Sequence, residues 1–199
     1  MNQSFSRRIL MPIALACSLA VAGCSSASPD APLKGAKIGG PFSLLDQEGK
    51  RVTDRDFQGK YRIVYFGYSH CPDICPTDLQ KIGEGLARFE KKDPERGARV
   101  QPIFITVDPE RDTPAALKPW VPSFHPRLVG LSGSSEQIAT VKKSYAIFSQ
   151  KEAAQPGGSY AVNHTRLSYL MDPEGQPVAL IPQESGADAI AAELDRWVK

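Results

Sequence analysis

One stretch constrains this chain more than any other: Val64 to Pro76, Val-Tyr-Phe-Gly-Tyr-Ser-His-Cys-Pro-Asp-Ile-Cys-Pro. The apolar, β-branched and aromatic run from Arg62 to Tyr68 predicts a buried strand that stops at Ser69. Cys71 and Cys75 follow, and from Thr77 the apolar residues Leu79, Ile82, Leu86 and Phe89 recur at helical spacing, predicting a helix to about Lys92. Two thiols therefore stand where a strand hands over to a helix. At a helix N-terminus the free N–H groups and the positive dipole end favour the thiolate, so both sulfurs are expected to be better nucleophiles and ligands than free cysteine. One helical turn apart, they can grip a single ion or close a disulfide.

The N-terminal residues read as a separate segment. Arg7 and Arg8 precede an apolar stretch from Ile9 to Ala22 that is short for a membrane span and broken by Pro12, the pattern of an export signal over residues 1–23. It ends Val21-Ala22-Gly23-Cys24, which resembles a bacterial lipobox and makes Cys24 the expected acylation site. Residues 24–37, rich in Ser, Ala, Pro and Gly, read as a flexible tether, and residues 38–199 as one domain. The expected location is a bacterial membrane, with the domain lipid-anchored and facing the periplasm. Without Arg7 and Arg8, 22 basic residues balance 22 acidic ones, which gives no reason to expect nucleic acid as a partner. Cys17 leaves with the signal, so only Cys71 and Cys75 remain as free thiols of the domain. A disulfide between them closes too short a loop to contribute much stability, so a purely structural role is disfavoured.

Along the domain, Pro41 to Leu45 and Arg51 to Phe57 predict a hairpin about the turn Gln47-Glu48-Gly49. Gly83 and Gly85 weaken the helix after the thiols, so packing must hold it, and Pro94 is expected to end it. Val100 to Val107 predicts the next strand, and Thr113 or Asp112 caps a short helix from Pro114. Arg127 to Leu131 reads as a strand. Ser134 or Ser135 caps a helix whose Ile138, Val141, Tyr145 and Phe148 share a face. Gln150 to Ser159 reads as a mobile polar loop, followed by strands at Tyr160–Val162, Leu167–Met171 and Val178–Ile181. A closing helix turns Ile190, Ala191, Leu194, Trp197 and Val198 inward. The order is that of an α/β thioredoxin-like fold with an additional N-terminal β-hairpin and an insertion around residues 109–148. Such a fold fixes no function by itself.

Three histidines are available to complete a metal site. His164 follows the Gly-rich segment and flanks a predicted strand, where it can reach a site distant in sequence. His70 adjoins Cys71 too closely to converge with it on one ion, and His125, before Pro126, reads as structural. Two sulfurs and one imidazole suit copper, whereas structural zinc usually takes four protein ligands. Asp73, Asp108, Arg111 and Asp112 either tune the thiols and orient a ligand or cap a helix and fix a turn, and the sequence leaves both open.

Three motifs in order, Cys71-Pro72-Asp73-Ile74-Cys75-Pro76, Val107-Asp108-Pro109-Glu110-Arg111-Asp112-Thr113-Pro114 and Asn163-His164-Thr165, resemble those of the Sco/SenC family of copper proteins over residues 38–198. The resemblance implies one copper, as Cu(I) or Cu(II), on Cys71, Cys75 and His164. It also implies a role in assembling the binuclear copper centre of cytochrome c oxidase subunit II, by delivering copper, reducing that subunit's cysteines, or both. The expected partners are that subunit or a similar acceptor, a periplasmic copper donor, and the membrane through the lipid anchor. Many family members carry aspartate where this chain has Asn163, a change expected to weaken Cu(II) relative to Cu(I). The competing readings are a thiol-disulfide oxidoreductase acting on exported or membrane-bound protein thiols through Cys71 and Cys75, and a peroxidase or copper-stress sensor. The three-residue gap between the cysteines departs from the usual Cys-x-x-Cys of the oxidoreductases.

Overall fold

The computed structural model describes residues 30–199 together with Met1. Residues 2–23 of the expected signal and Cys24 lie outside the described residues, as do residues 25–29 of the expected tether, whereas residues 30–37 are described and the Leu33 amide donates to the Val178 carbonyl at 3.0 Å.

Among the described residues, nine strands and five α-helices follow one another: β1 (Ser43–Asp46), β2 (Arg51–Thr53), β3 (Tyr61–Gly67), α1 (Ile74–Lys92), α2 (Pro94–Ala98), β4 (Val100–Thr106), α3 (Pro114–Trp120), β5 (Val129–Ser132), α4 (Ser135–Ser144), β6 (Ser149–Lys151), β7 (Val162–His164), β8 (Ser168–Met171), β9 (Pro177–Leu180) and α5 (Ala187–Trp197). Seven strands form one sheet in the order β2-β1-β5-β4-β3-β8-β9, and β6 pairs only with β7. β3 runs parallel to β4 and antiparallel to β8, and β8 is antiparallel to β9. That is the thioredoxin-like core. The expected insertion adds β5 alongside β4, and the N-terminal hairpin extends the sheet from β5.

Every residue of β3 and β4 is buried, as both faces of a central parallel pair require. Tyr65 turns toward α1, its hydroxyl donating to Asp78 at 3.2 Å, while the next residue, Phe66, packs on Tyr145 with ring centroids 5.2 Å apart. α1 buries Leu79, Ile82, Leu86 and Phe89, the stripe its spacing predicted. Its two glycines mark close approaches. A Cβ at Gly83 would stand 2.1 Å from the Phe124 carbonyl oxygen, and one at Gly85 would stand 2.6 Å from Ile190 of α5. The propensity lost there lets a loop and a helix lie directly against α1.

Several boundaries differ from expectation for local reasons. α1 begins at Ile74 rather than Thr77, because proline is tolerated in a first turn whose N–H groups have no intrahelical partner. Pro94 starts α2, capped by Asp93, whose carboxylate accepts from the Arg96 amide at 3.0 Å. Asp54–Phe57 is a 3-10 turn rather than strand, closed by a Thr53–Asp56 capping box. α4, capped by Ser134 as expected, stops at Ser144, leaving Phe148 58% exposed rather than on the buried face. Part of the expected polar loop is strand β6, pinned by β7 in the register Ser149↔His164, Gln150↔Asn163 and Lys151↔Val162.

Candidate metal centre

The helix boundary decides how differently the two thiols are placed. Cys75 lies inside the first turn of α1 and is fully buried, and Cys71 lies before the helix and is partly exposed; both are free thiols. The Cys75 amide points at Cys71 Sγ from 3.4 Å, so the N-terminus of α1 acts on Cys71. Burial pushes the Cys71 thiol up, but the N–H groups of Cys75, Asp73 and Ile74 and the Cys75 thiol outweigh it, leaving its pKa below that of an ordinary thiol. At Cys75 burial wins, helped by the nearby Cys71 charge against the Tyr68 backbone, and the thiol is pushed up to about 12. The expectation that the helix terminus activates both sulfurs is thus corrected for Cys75. Gly67, ending β3, leaves room for this thiol, since a Cβ there would stand 3.1 Å from Cys75 Sγ.

His164 closes β7, and its Nε2 stands 3.4 Å from Cys75 Sγ, although 89 residues separate the two in sequence. Its Nδ1 lies 3.0 Å from the Thr165 carbonyl oxygen, which only an Nδ1–H can satisfy. The lone pair is therefore on Nε2, toward the thiol. Burial lowers the imidazole pKa, opposed by the Thr165 carbonyl, so the ring is neutral at pH 7. Tyr68 meets it edge-on at 5.9 Å. The donor set and tautomer suit a soft metal ion. Cys71 and His164 each neighbour Cys75, but no closed cluster of three or more His, Cys, Asp or Glu side chains ready to hold an ion exists among the described residues.

Beneath the site lies a polar network that the sequence did not reveal. Asp78, 1% exposed, accepts from Tyr65 and receives Arg166 through Nε at 3.2 Å and Nη2 at 2.9 Å. Arg166, two residues beyond His164, also reaches Glu184 at 3.2 Å. Only a pairing of β3, α1 and β8 brings these groups together, and spacing carries no trace of it.

The second motif fixes turns. Buried Asp112 accepts from the Ser69 amide at 2.9 Å, from its hydroxyl at 2.5 Å and from the Thr106 hydroxyl at 2.7 Å. His70, half exposed, stands 3.5 Å from Asp112, with its Nδ1 3.1 Å from the Ser69 hydroxyl. Asp108 takes Arg111 Nε at 2.5 Å and the Tyr160 hydroxyl at 2.9 Å. Asp73 occupies the N-cap position of α1 but makes no capping bond with its side chain. His125 is buried, accepting at Nδ1 from the Arg127 amide at 3.2 Å. Asn163 is exposed on β7, where alternation turns it from the face His164 occupies.

The family model SCO1/SenC matches residues 30–199. The mitochondrial protein SCO1 of Saccharomyces cerevisiae is 41% identical over 166 residues, 81% of this chain and 55% of its own length. The human mitochondrial SCO2 homolog is 42% identical over 166 residues, 82% of this chain and 61% of its own. The chain thus spans little more than half the length of these curated relatives. Among solved structures, copper-bound ScoI of Bradyrhizobium japonicum superposes with a TM-score of 0.72 at 46% identity, covering 80% of this chain and 99% of that one. Copper-bound yeast Sco1 gives 0.74 at 39%, covering 81% and 88%. The curated relatives are mitochondrial, which overturns the expected lipid-anchored location on a bacterial membrane facing the periplasm. Among the described residues, no helix is long and apolar enough to cross a membrane.

Proposed function

The chain belongs to the SCO1/SenC family, and from that membership we propose that it carries one copper ion on Cys71, Cys75 and His164 and hands it to the copper centre of cytochrome c oxidase. The copper bound by the related ScoI and yeast Sco1 supports the choice of metal. The observation that carries the ligand set is the His164 ring, whose Nδ1 is held by the Thr165 carbonyl so that a lone pair on Nε2 faces Cys75 Sγ. Copper is cargo here. Binding displaces the proton of the buried Cys75 thiol, while the partly exposed Cys71 is the sulfur that an acceptor's thiolates can approach.

Anaerobic titration of the reduced protein with Cu(I), and separately with Cu(II), against a chelator of known affinity tests this reading. One equivalent held tightly, with a sulfur-to-copper absorption band in the Cu(II) form that His164→Ala changes or removes, is the expected result. Native-like affinity in Cys75→Ala overturns it.

The asymmetry of the two thiols favours one second reading, thiol-disulfide exchange on protein cysteines. A low-pKa, accessible Cys71 would attack and a buried Cys75 would resolve. In that chemistry the imidazole is dispensable, so full activity of His164→Ala in the cell would select this reading over the first.

A further inference from the structure

We propose that Arg111 is a positioning residue that pins the hairpin carrying His164 and so sets where the imidazole stands relative to the thiols, an inference that rests on the copper-site reading above. β6 and β7 have three residues each and share no ladder with the seven-stranded sheet. Two-stranded hairpins of this size are marginal on their own, so the hairpin needs an external hold. Val162 supplies a buried apolar contact. Lys142 of α4 donates to Ser149 of β6 at 2.5 Å, and Arg111 supplies the polar hold nearest His164's strand: its Nη1 donates to the Tyr160 carbonyl at 2.9 Å, and its guanidinium carbon lies 3.6 Å from the centre of the Tyr160 ring. Asp108 closes the clasp, one oxygen taking Arg111 Nε and the other the Tyr160 hydroxyl. Lys151 of β6 approaches the same ring at 4.0 Å and pairs with Glu110 at 2.5 Å.

The clasp is continuous with the thiol loop. The Asp108 amide donates to the Thr106 hydroxyl at 2.9 Å, and that hydroxyl donates to Asp112, which holds Ser69 two residues before Cys71. Thr106, Asp108 and Asp112 are all buried. One buried node therefore holds the imidazole on one side and the thiols on the other. Arg111 Nη2 is buried without a hydrogen-bond partner, an unfavourable arrangement retained where the rest of the guanidinium makes these contacts.

Hydrogen exchange of the copper-free protein reads the clasp directly through two hairpin amides, Glu152 bonded to the Ala161 carbonyl and Thr165 bonded to the Phe148 carbonyl. In Arg111→Gln both are expected to exchange at least about tenfold faster than in the wild type, while the amides of β4 keep their rates. Tyr160→Phe, which removes one hydroxyl, is expected to give a smaller change of the same kind and serves if Arg111→Gln does not fold. The copper readout follows from the same geometry: Arg111→Gln weakens Cu(II) and alters its absorption band while sparing Cu(I), Arg111→Lys restores part of the loss, and Arg111→Gln adds nothing in a His164→Ala background. Wild-type exchange at Glu152 and Thr165 in the folded variants overturns the clasp, and so does equal acceleration in β4. If His164→Ala leaves Cu(II) binding unchanged, the copper-site reading fails, and exchange in the copper-free protein still decides the clasp.

Discussion

Cys75 Sγ and His164 Nε2 face each other across 3.4 Å, one from the first turn of a core helix and the other from a hairpin outside the main sheet. Neither group carries a net charge at neutral pH, because burial holds the thiol protonated and the imidazole neutral.

On the proposed ligand set, copper therefore displaces at least one proton. Apparent Cu(I) affinity is expected to rise about tenfold per pH unit for each thiol proton released, through neutral pH and above. Chelator competition at several pH values checks this. A flat profile would place both thiols in the thiolate form before binding.

Ligand removal should separate the two oxidation states. Cys71→Ala and Cys75→Ala are each expected to weaken Cu(I) more than about 100-fold, beyond the range of changes around the ligands. His164→Ala is expected to weaken Cu(II) more than Cu(I), since nitrogen is the harder donor. Equal loss of both ions in His164→Ala would contradict this division.

The thiols also give the metal-free protein a distinct pH dependence. The raised Cys75 pKa favours the folded state while the thiol is protonated, so this contribution is complete below pH 9, the ordinary thiol value, and is lost as pH rises toward about 12. The lowered Cys71 pKa acts in the opposite sense, its contribution being complete above pH 9 and lost as pH falls through its folded value. Denaturant titrations of Cys75→Ala above pH 9 should show a flatter decline than the wild type.

Beneath the site, Arg166→Ala leaves the Asp78 carboxylate buried with only the Tyr65 hydroxyl and is expected to cost about 3 kcal/mol. For a domain of this size that lowers Tm by roughly 6–12 °C. Calorimetry of the metal-free protein measures it. A change within experimental scatter would mean that the pair is screened as a surface pair would be.

Gly83→Ala tests the approach of the 124–125 loop to α1. The added Cβ would stand 2.1 Å from a backbone oxygen that has no rotamer to change, so the loop must move, at about 3 kcal/mol. A stabilised Gly83→Ala protein, as helix propensity alone would give, would refute this account.

The central strand, the thiol pair and the stripe of α1 were legible because each is local or periodic, whereas the choice of His164 rested on its place after the Gly-rich segment and on the family resemblance. The start of α1 was not, since Pro76 reads as a boundary although a first turn accommodates it. That error hid the inequality of the thiols. β6 was illegible for a different cause: Ser149, Gln150 and Lys151 have no apolar alternation, and they form a strand only because β7 lies opposite. Asp78 and Arg166 meet through three elements folded together, 88 residues apart. The aspartates of the second motif read equally well as tuning groups or turn anchors, and their partners in space place them as anchors.

The independence of the β6–β7 hairpin from the seven-stranded sheet separates endurance from generosity. No ladder bond links the two sheets, so changes in the core reach the imidazole only through side chains such as the Thr106–Asp108–Asp112 node and Arg111. On the proposed copper reading, sturdiness and grip are then tuned at different addresses, the first throughout the seven-stranded sheet and the second at the few side chains that clamp the hairpin.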